Sequence, residues 1–265
     1  MQSVYLPPNN LFLMSLPTFS FIIVEYKSLE SLYRFAEDIW QLFKNQDYEL
    51  IVISNSCYDT GLVNNFLHLH PHINFISNES NLGYARAINL GVAISKGQYL
   101  IVCNPLCFFK QFDIQHVHQN FIENPQLAVI GPEISDSKSN VRDSYRTFML
   151  PINLLKRRFS KLLTSSKVDM QQSKPFFVDW VIGACMIIRK SAFDKIGGFD
   201  SNYFLYVEDM DFCYRVTKLG FTTLYEPKLK IIYNSNRRST RGLNKYTLIH
   251  ISSYLRFLKK FIQNR

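Results

Sequence analysis

The sequence predicts an α/β protein in which a mostly parallel sheet is covered by helices. Short apolar, β-rich runs alternate along the first hundred residues with segments whose apolar residues recur at helical spacing. This β-α-β-α-β-α-β order is typical of parallel sheets, because two parallel neighbours need a crossover that a helix normally supplies. The composition agrees, since 47% hydrophobic and 19% charged residues over 265 positions describe a globular chain with ample core.

Each element follows from its pattern. The predicted strands are the apolar runs at 19–24, 49–53, 73–76 and 99–103. The predicted helices are 29–43, a stretch that ends at His68, and 85–95. Ligands of such sheets bind beyond the carboxyl ends of the strands. The predicted binding loops are therefore 25–28, 54–60 and 104–107.

Two further stretches complete the reading of the chain. The phrase NLGYARAINLG (81–91) places a glycine turn before a helix, whose free N–H groups could face a phosphate. Residues 135–175 are polar, basic and irregular, so we expect a mobile loop or linker there before a second half begins at Phe176.

The run NYFLYVEDMDFCYRV (202–216) sets three carboxylates, Glu208, Asp209 and Asp211, among aromatic and aliphatic residues. A buried carboxylate costs several kcal/mol unless it is paired, protonated or bound to a ligand, so core packing explains the three poorly. Acidic residues are also common in the first turn of a helix, where they complement the helix dipole. From this stretch alone, a helix start and a functional site both remain open.

The formal net charge of +9 is concentrated in clusters, and these suit phosphates, an anionic membrane surface or nucleic acid. No nucleic-acid-binding motif accompanies the clusters, so nucleic acid is the least favoured partner. Five scattered cysteines and the lack of a signal peptide predict a reduced, cytoplasmic protein without a zinc site. The clusters are Lys156-Arg157-Arg158 with Lys161, Arg237-Arg238 with Arg241, and Arg256 with Lys259-Lys260.

The chain ends in a predicted amphipathic helix from Tyr246 to Ile262. Its basic residues fall largely outside the apolar stripe, so the helix can lie on an anionic membrane or pack on the domain, and the pattern favours neither. The stripe consists of Leu248, Ile251, Leu255, Leu258 and Ile262.

Several phrases occur in an order that resembles the glycosyltransferase family 2 enzymes, especially their bacterial rhamnosyltransferase-like branch. The resemblance implies a GT-A (Rossmann-like) nucleotide-sugar-binding domain over residues 19–235, followed by a basic amphipathic segment at 236–265. It also implies inverting transfer from a nucleotide sugar to an acceptor hydroxyl. The phrases are FIIVEYKSLE, ELIVISNSCYDTG, NESNLGYARAINLGVAISKGQYLIVCNP, VDWVIGACMIIRKSAFDKIGGFDSNYFLYVEDMDFCYRVTKLGF and LYEPKLKIIY.

The resemblance assigns roles to particular residues. Asp209 becomes the general base, because a sugar hydroxyl is a poor nucleophile until a carboxylate within hydrogen-bond reach takes its proton. Glu208 and Asp211 would hold the acceptor or orient Asp209, and Phe204 and Tyr206 would exclude water. The implied acceptor wall is Asp179, Trp180 and Gly183, with Trp180 equally acceptable as core. The implied donor-binding residues are Glu25, Ser54, Asn55, Asn81, Gly83, Arg86 and Asn104.

The sequence departs from the family at the expected nucleotide and metal ligands. Ser54 stands where an acidic residue is usual, and Leu106 and Tyr233 replace a metal-binding carboxylate and histidine. Leucine offers no oxygen to a hard cation, so any Mg²⁺ or Mn²⁺ would rely on donor phosphates, water and Asn104.

Two hypotheses follow from these departures. In one, the protein is a transferase that neutralises the departing diphosphate with arginines, for which Arg86, Arg237, Arg238 and Arg241 are candidates. In the other, it is an inactive relative that binds nucleotide sugar or glycan. The branch it resembles makes dTDP-rhamnose the first choice of donor. The acceptor would then be a glycan on a polyprenyl diphosphate, met at the inner face of the cell membrane.

Overall fold

The computed structural model describes residues 3–5, 18–141, 144–148, 174–233 and 244–263. The strands are β1 (Ser3–Tyr5), β2 (Phe19–Glu25), β3 (Tyr48–Ser54), β4 (Ile73–Ser77), β5 (Tyr99–Cys103), β6 (Cys107–Gln111), β7 (Leu127–Ser135), β8 (Tyr145–Arg146), β9 (Phe176–Val178), β10 (Trp180–Val181), β11 (Cys185–Arg189) and β12 (Thr222–Tyr233). The helices are α1 (Leu29–Phe43), α2 (Thr60–Leu69), α3 (Tyr84–Ile94), α4 (Ile114–Glu123), α5 (Lys190–Ile196), α6 (Glu208–Lys218) and α7 (Lys245–Gln263).

One large mixed sheet forms the centre of the molecule, with strand order β1-β4-β3-β2-β5-β11-β7-β12-β6 and with β9 added alongside β12. Strands β2 to β5 are parallel, as the alternating pattern predicts. The chain moves outward from β2 through β3 to β4 and then returns to place β5 on the other side of β2. This reversal creates a crevice at the carboxyl ends of β2, β3 and β5, where α/β proteins bind ligands.

The second half of the sheet is mixed, which the sequence analysis did not foresee. Strand β11 lies antiparallel between β5 and β7, and β12 runs parallel to β7. The long β12 shifts register between Glu226 and Lys230, so that its first part pairs with β9 and its last part with β6. This shift carries Tyr233 to the same end of the sheet as Cys107, its partner on β6.

Helices cover both faces of the sheet, and β2 shows the consequence for the sequence. Phe21 and Ile23 pack into the core on the face of α1, whereas Ile22 and Val24 pack on the face of α3. A strand buried on both faces reads as a continuous apolar run, which is the pattern seen at 19–24. Four cysteines are buried in these cores, in line with the prediction: Cys103, Cys107, Cys185 and Cys213.

The C-terminal helix α7 packs on the domain through a different face from the predicted stripe. Phe257 is fully buried, with its ring centroid 5.7 Å from that of Tyr214. Leu258 is the one stripe residue that packs against the core, and the other four are exposed. The predicted boundary at 235/236 and the cluster Arg237-Arg238 with Arg241 lie outside the described residues.

The described part of the segment predicted as a loop or linker includes the short strand β8. Strand β8 pairs antiparallel with β10, so Tyr145 and Arg146 are held beside Trp180 and Val181. The cluster Lys156-Arg157-Arg158 with Lys161 lies outside the described residues. Within the described ranges, no helix is both long enough and apolar enough to cross a bilayer.

Candidate active site

A cavity of about 840 Å³ opens at the carboxyl ends of β2, β3 and β5, and all three predicted binding loops contribute to its wall. The chain before α6 and the start of α7 close the opposite side. The side chains and backbone that line it come from Val24, Tyr26, Lys27, Ser28, Leu29, Glu30, Ser31, Asn55, Tyr58, Asn81, Gly83, Tyr84, Asn104, Pro105, Leu106, Phe204, Leu205, Tyr206, Tyr233, Lys245, Tyr246 and Ile249.

Glu25 and Ser54, both predicted donor ligands, are fully buried and instead fasten two of these loops together. The Glu25 carboxylate accepts hydrogen bonds from the Ser28 backbone N–H at 2.6 Å and from the Ser54 hydroxyl at 2.7 Å. It also accepts from the Ser56 hydroxyl and the Tyr58 phenol. With so many donors on one carboxylate, Glu25 fixes the shape of the cavity wall and has little capacity left for a ligand.

The predicted residues Asn55, Asn81, Gly83 and Asn104 do line the cavity. Gly83 has φ of +82°, and a Cβ there would come within 2.6 Å of the Phe204 carbonyl oxygen, so only glycine fits. Its N–H is held by Asn81 Oδ1 at 2.9 Å.

The glycine turn was predicted to offer free N–H groups to a phosphate, but the N–H groups of Gly83 and Tyr84 are both already bonded within the protein. The next N–H, from Tyr84, donates to the Phe204 carbonyl at 2.7 Å. The turn thus docks the 204–206 segment against α3. Arg86 points elsewhere, since its Nε donates to the Ser201 carbonyl at 3.0 Å, and it is not among the described lining residues.

The three carboxylates lie in the first turn of α6, so the helix-start reading of the sequence is correct. Tyr206 and Val207 precede them with φ of 69° and 70°, a left-handed conformation that costs free energy in a bulky residue. This kink turns the chain sharply between the cavity wall at Tyr206 and the helix. Glu208 and Asp209 therefore begin the helix two and three residues after Tyr206, which lines the cavity.

Asp209 is held by two backbone donors. Its Oδ2 accepts the Gly183 N–H at 2.7 Å, and its Oδ1 accepts the Met210 N–H at 2.8 Å. The Gly183 carbonyl in turn accepts the phenol of the cavity residue Tyr84 at 3.0 Å. The predicted base is thus in direct contact with the predicted acceptor glycine, and two successive hydrogen bonds connect it to Tyr84 in the cavity wall. Neither Glu208 nor Asp209 is among the described lining residues of the cavity.

Burial raises the pKa of both Glu208 and Asp209, but only Asp209 has backbone N–H groups of other residues that oppose the effect. Glu208 is 5% exposed, and its Oε2 has no hydrogen-bond partner among the described residues. Burial, with a smaller contribution from Asp209, raises the pKa of Glu208 to about 8. Burial also raises the pKa of Asp209, but the N–H groups of Gly183 and Met210 counteract it. At neutral pH Glu208 therefore keeps its proton, whereas on Asp209 the two backbone N–H groups favour the ionised form against the effect of burial.

Asp211 does not face the cavity and instead anchors the C-terminal helix. It is 1% exposed and accepts hydrogen bonds from Arg215 Nε at 2.8 Å and from Lys260 Nζ at 2.8 Å. The Tyr203 phenol donates to it as well, at 3.2 Å. The predicted roles of holding the acceptor or orienting Asp209 are therefore replaced by a structural one.

Two of the predicted acceptor-wall residues support the 144–148 segment. Asp179 Oδ2 accepts the Phe148 N–H at 2.8 Å, and the buried Trp180 donates from Nε1 to the Thr147 carbonyl at 3.2 Å. Gly183 is the member of the predicted wall that hydrogen-bonds to Asp209. The core reading of Trp180 is the one that its burial favours.

The sequence analysis missed three residues near the base. Tyr84 lines the cavity, and burial together with Glu208 raises the pKa of its phenol. Arg146 lies close enough to Asp209 to lower the pKa of that carboxyl, after the larger effects of burial and the backbone N–H groups. Burial lowers the pKa of His250, on α7, and Asp209 opposes this effect. Of these three residues, only Tyr84 could have been found from the sequence, because it directly follows the glycine turn.

The side chains at the expected metal position do not fit a divalent cation. Asn104, Leu106 and Tyr233 all line the cavity, but Asn104 Oδ1 already accepts the Leu106 N–H at 3.0 Å. Across the described ranges, no group of three or more His, Cys, Asp or Glu residues could hold a metal ion. Mg²⁺ and Mn²⁺ prefer several oxygen ligands, whereas this set supplies a leucine, a phenol and an occupied amide. The cationic lining residues are Lys27 and Lys245.

Comparisons with known proteins identify the family. The family model described as Glycosyl transferase family 2 matches residues 20–197. The chain is 24% identical to an N-acetylglucosaminyl-diphospho-decaprenol L-rhamnosyltransferase of Mycobacterium tuberculosis, over 89% of this chain and 82% of that protein. It is 24% identical to the rhamnosyltransferase WbbL of Escherichia coli K12, over 83% of this chain and 86% of that protein. It is 26% identical to a low-salt glycan biosynthesis hexosyltransferase, Agl10, of Haloferax volcanii, over 92% of this chain and 74% of that protein.

Solved structures share the fold at low sequence identity. GalNAc-T7 with UDP, GalNAc and Mn²⁺ superposes with a TM-score of 0.68 at 16% identity, over 92% of this chain but only 48% of that one. A mannosyltransferase from Pyrobaculum calidifontis with GDP-Man and Mn²⁺ superposes with a TM-score of 0.62 at 14% identity, over 94% of this chain and 65% of that one. The family model covers well over half of the chain, and the fold is GT-A. The chain belongs to glycosyl transferase family 2.

Proposed function

We propose that this glycosyltransferase moves a hexose from a nucleotide sugar to an acceptor hydroxyl of a surface glycan, with inversion, and that Asp209 is the base. The observation that carries the proposal is the fixed position of the Asp209 carboxylate. The Gly183 N–H holds it at 2.7 Å, and the same glycine bonds to Tyr84 in the cavity wall. Proton removal from a sugar hydroxyl requires a carboxylate held in a fixed position near the ligand, and backbone N–H groups hold Asp209 in this way close to a ligand-sized cavity.

The cavity is suited to the donor. Its volume of about 840 Å³ lies within the range of about 300–1,000 Å³ that small-ligand sites occupy. Tyr26, Asn55 and Tyr58, in the loops after β2 and β3, offer stacking surfaces and an amide for the nucleoside. The rhamnosyltransferase names of two relatives support dTDP-rhamnose as the donor.

The acceptor is proposed to be a glycan on a polyprenyl diphosphate. The name of the mycobacterial relative includes N-acetylglucosaminyl-diphospho-decaprenol, which supports an acceptor of this kind. Phe204 and Tyr206 line the cavity and provide apolar faces for a sugar ring. The proposed place of reaction is the cytoplasmic face of the cell membrane, in cell-surface glycan synthesis.

In the proposed step, the acceptor oxygen attacks the anomeric carbon of the donor from the face opposite the diphosphate. The new C–O bond forms as the bond from that carbon to the phosphate oxygen breaks, and the hydroxyl proton passes to Asp209. The nucleoside diphosphate leaves with the electron pair of the broken bond. Glu208 already holds its proton near neutrality, so only one of the two adjacent carboxyls is available as base.

We further propose that lysines, rather than a protein-bound cation, neutralise the departing diphosphate. Lys27 and Lys245 line the cavity, whereas the metal position offers only Asn104, Leu106 and Tyr233. Lys245 is also the first residue of α7, so its ammonium group and the positive N-terminal end of the helix dipole would both attract the diphosphate. The arginines Arg237, Arg238 and Arg241 lie outside the described residues, and their part in this role stays a prediction.

A second candidate is nucleotide-sugar binding without transfer, which the residues Leu106 and Tyr233 favour. The deciding experiment offers purified protein a panel of nucleotide sugars and a polyprenyl-diphosphate-linked acceptor, with and without EDTA. The proposal predicts a glycosylated acceptor whose new linkage has the opposite anomeric configuration to the donor. Binding of a nucleotide sugar with no transfer under any condition would instead establish the second candidate.

A further inference from the structure

The outer face of α7 carries an apolar stripe that the fold leaves exposed. Leu248, Ile251, Leu255 and Ile262 are 49–64% exposed, although α7 is firmly packed through its opposite face. At 100° per residue the four side chains fall within about 60° of one another around the helix. The stripe runs for about 20 Å along the helix axis at 1.5 Å per residue. A narrow, continuous apolar surface of this length on a packed helix is typical of a docking surface.

The charges around the stripe have a single sign. Lys259 and Arg256 are exposed and lie about 50° and about 110° from the stripe centre, on the same side of it. The helix contains four basic residues and no acidic ones over Lys245–Gln263, and the whole chain carries +9. This combination of an apolar stripe with a cationic border matches the interface of an anionic bilayer, where leucines enter the acyl boundary and lysines meet lipid phosphates.

The same helix borders the active site. Tyr246 and Ile249 line the cavity, and Lys260 bonds to Asp211 on α6, two residues beyond the base. A surface that binds α7 therefore fixes the orientation of the cavity and of Asp209 relative to that surface.

We propose that α7 docks on anionic phospholipid membrane through Leu248, Ile251, Leu255 and Ile262, with Arg256 and Lys259 on the lipid phosphates. Docking presents the cavity mouth to acceptors held in the bilayer. In this respect the inference deepens the proposed function and rests on it. The docking itself needs no turnover, so it is tested separately.

The test measures sedimentation of the full chain with phosphatidylcholine vesicles containing about 30% phosphatidylglycerol, and with phosphatidylcholine vesicles alone. The stripe variant Leu248→Ser with Leu255→Ser should bind anionic vesicles at least about tenfold more weakly. The matched control Leu62→Ser with Leu69→Ser removes two exposed leucines from α2 and should stay within about twofold of wild type.

A charge variant gives an independent arm. The double variant Arg256→Gln with Lys259→Gln should lose most of its binding to anionic vesicles. In the control variant Lys44→Gln with Lys96→Gln, the loss of binding should be about threefold smaller. Binding should also weaken as salt rises from about 0.1 to about 0.5 M. This arm does not depend on the folding of the stripe variant, because all four residues are exposed.

Three outcomes would overturn the inference. The stripe variant and its α2 control could bind anionic vesicles equally, or neutral vesicles could capture wild type as well as anionic ones. Alternatively, sedimentation equilibrium without lipid could show self-association that the stripe variant abolishes, which would make a second copy the occupant. Transfer to a short-chain, water-soluble acceptor separates the two proposals. Its absence counts against the proposed function alone, whereas normal turnover without vesicle binding counts against docking alone.

Discussion

The backbone N–H of Gly183 donates to Oδ2 of Asp209 over 2.7 Å, and this bond joins the end of β10 to the first turn of α6. The two residues are 26 positions apart, within one long phrase of the family resemblance. The bond fixes the position of the carboxylate and favours its ionised form, as hydrogen bonds from backbone N–H groups do.

Replacing Gly183 by alanine should therefore disturb catalysis more than stability. The new Cβ would lie 3.3 Å from Cβ and Oδ2 of Asp209, which is close enough to displace the carboxylate by a few tenths of an ångström. We expect kcat to fall by roughly ten- to a hundredfold, because small misplacements of a catalytic group are costly. Donor affinity by titration calorimetry should change by less than about threefold. A variant with wild-type kcat would show that the contact is not needed for turnover.

Glu208→Gln should make the protein more stable at high pH. The folded-state pKa of Glu208 is about 8, above its unfolded value of 4.5, so the folded state holds the extra proton between these values. The contribution of protonated Glu208 to the free energy of unfolding of the wild type is fully present below pH 4.5. It is lost as the pH rises through 8. Glutamine cannot ionise, so the variant should gain roughly 2 kcal/mol or more over wild type between about pH 5 and pH 9.

Thermal unfolding across this pH range checks the prediction. Glu30→Gln is the control, because Glu30 is largely exposed on α1 and should give no pH-dependent gain. A difference between Glu208→Gln and wild type that stays constant with pH would mean that Glu208 is ionised throughout.

Lys260→Met should loosen the C-terminal helix. Lys260 Nζ bonds to the buried Asp211 at 2.8 Å, and its loss leaves that carboxylate with Arg215 and Tyr203. We expect a loss of about 1–3 kcal/mol in the free energy of unfolding, measured in urea. The neighbouring Lys259→Met, which alters an exposed lysine, should cost less than about 0.5 kcal/mol. Equal losses in both variants would argue against the anchoring role.

Chelation should leave transfer largely intact. The metal position offers no free carboxylate or histidine, and Lys27 and Lys245 remain in the cavity when metal is removed. Turnover in excess EDTA should stay within about twofold of the untreated rate, while Lys245→Ala should lower it by ten- to a hundredfold, or about 1.4–2.7 kcal/mol. Loss of activity in EDTA with recovery on adding Mn²⁺ would refute the metal-free proposal. Activity gained only in Leu106→Asp with Tyr233→His would identify a degenerate metal site.

Local patterns predicted the parallel half of the fold, because β2 to β5 are buried on both faces and read as continuous apolar runs. The antiparallel insertion of β11 was not readable, since it depends on pairing with Cys103 and its neighbours more than eighty residues away. Strand pairing at such separations leaves no periodic trace in one sequence.

The site shows the same division between local and distant information. The carboxylates at 208–211 stand out by composition, but the partner that defines Asp211, Lys260, lies 49 residues later. Glu25 likewise meets Ser54 and Tyr58 only through the pairing of two strands. Arg146 and His250 approach Asp209 from distant segments, and neither is marked by its neighbours in sequence.

The measurement that tests the central claim most directly is sugar transfer by Asp209→Asn, with donor binding measured on the same preparation. Asparagine keeps the size of the side chain and one acceptor oxygen, but it cannot take the acceptor proton. We predict that transfer falls by roughly 10²–10⁴-fold while donor affinity stays within about threefold of wild type. Transfer by Asp209→Asn at more than about a tenth of the wild-type rate would contradict the assignment of Asp209 as the base.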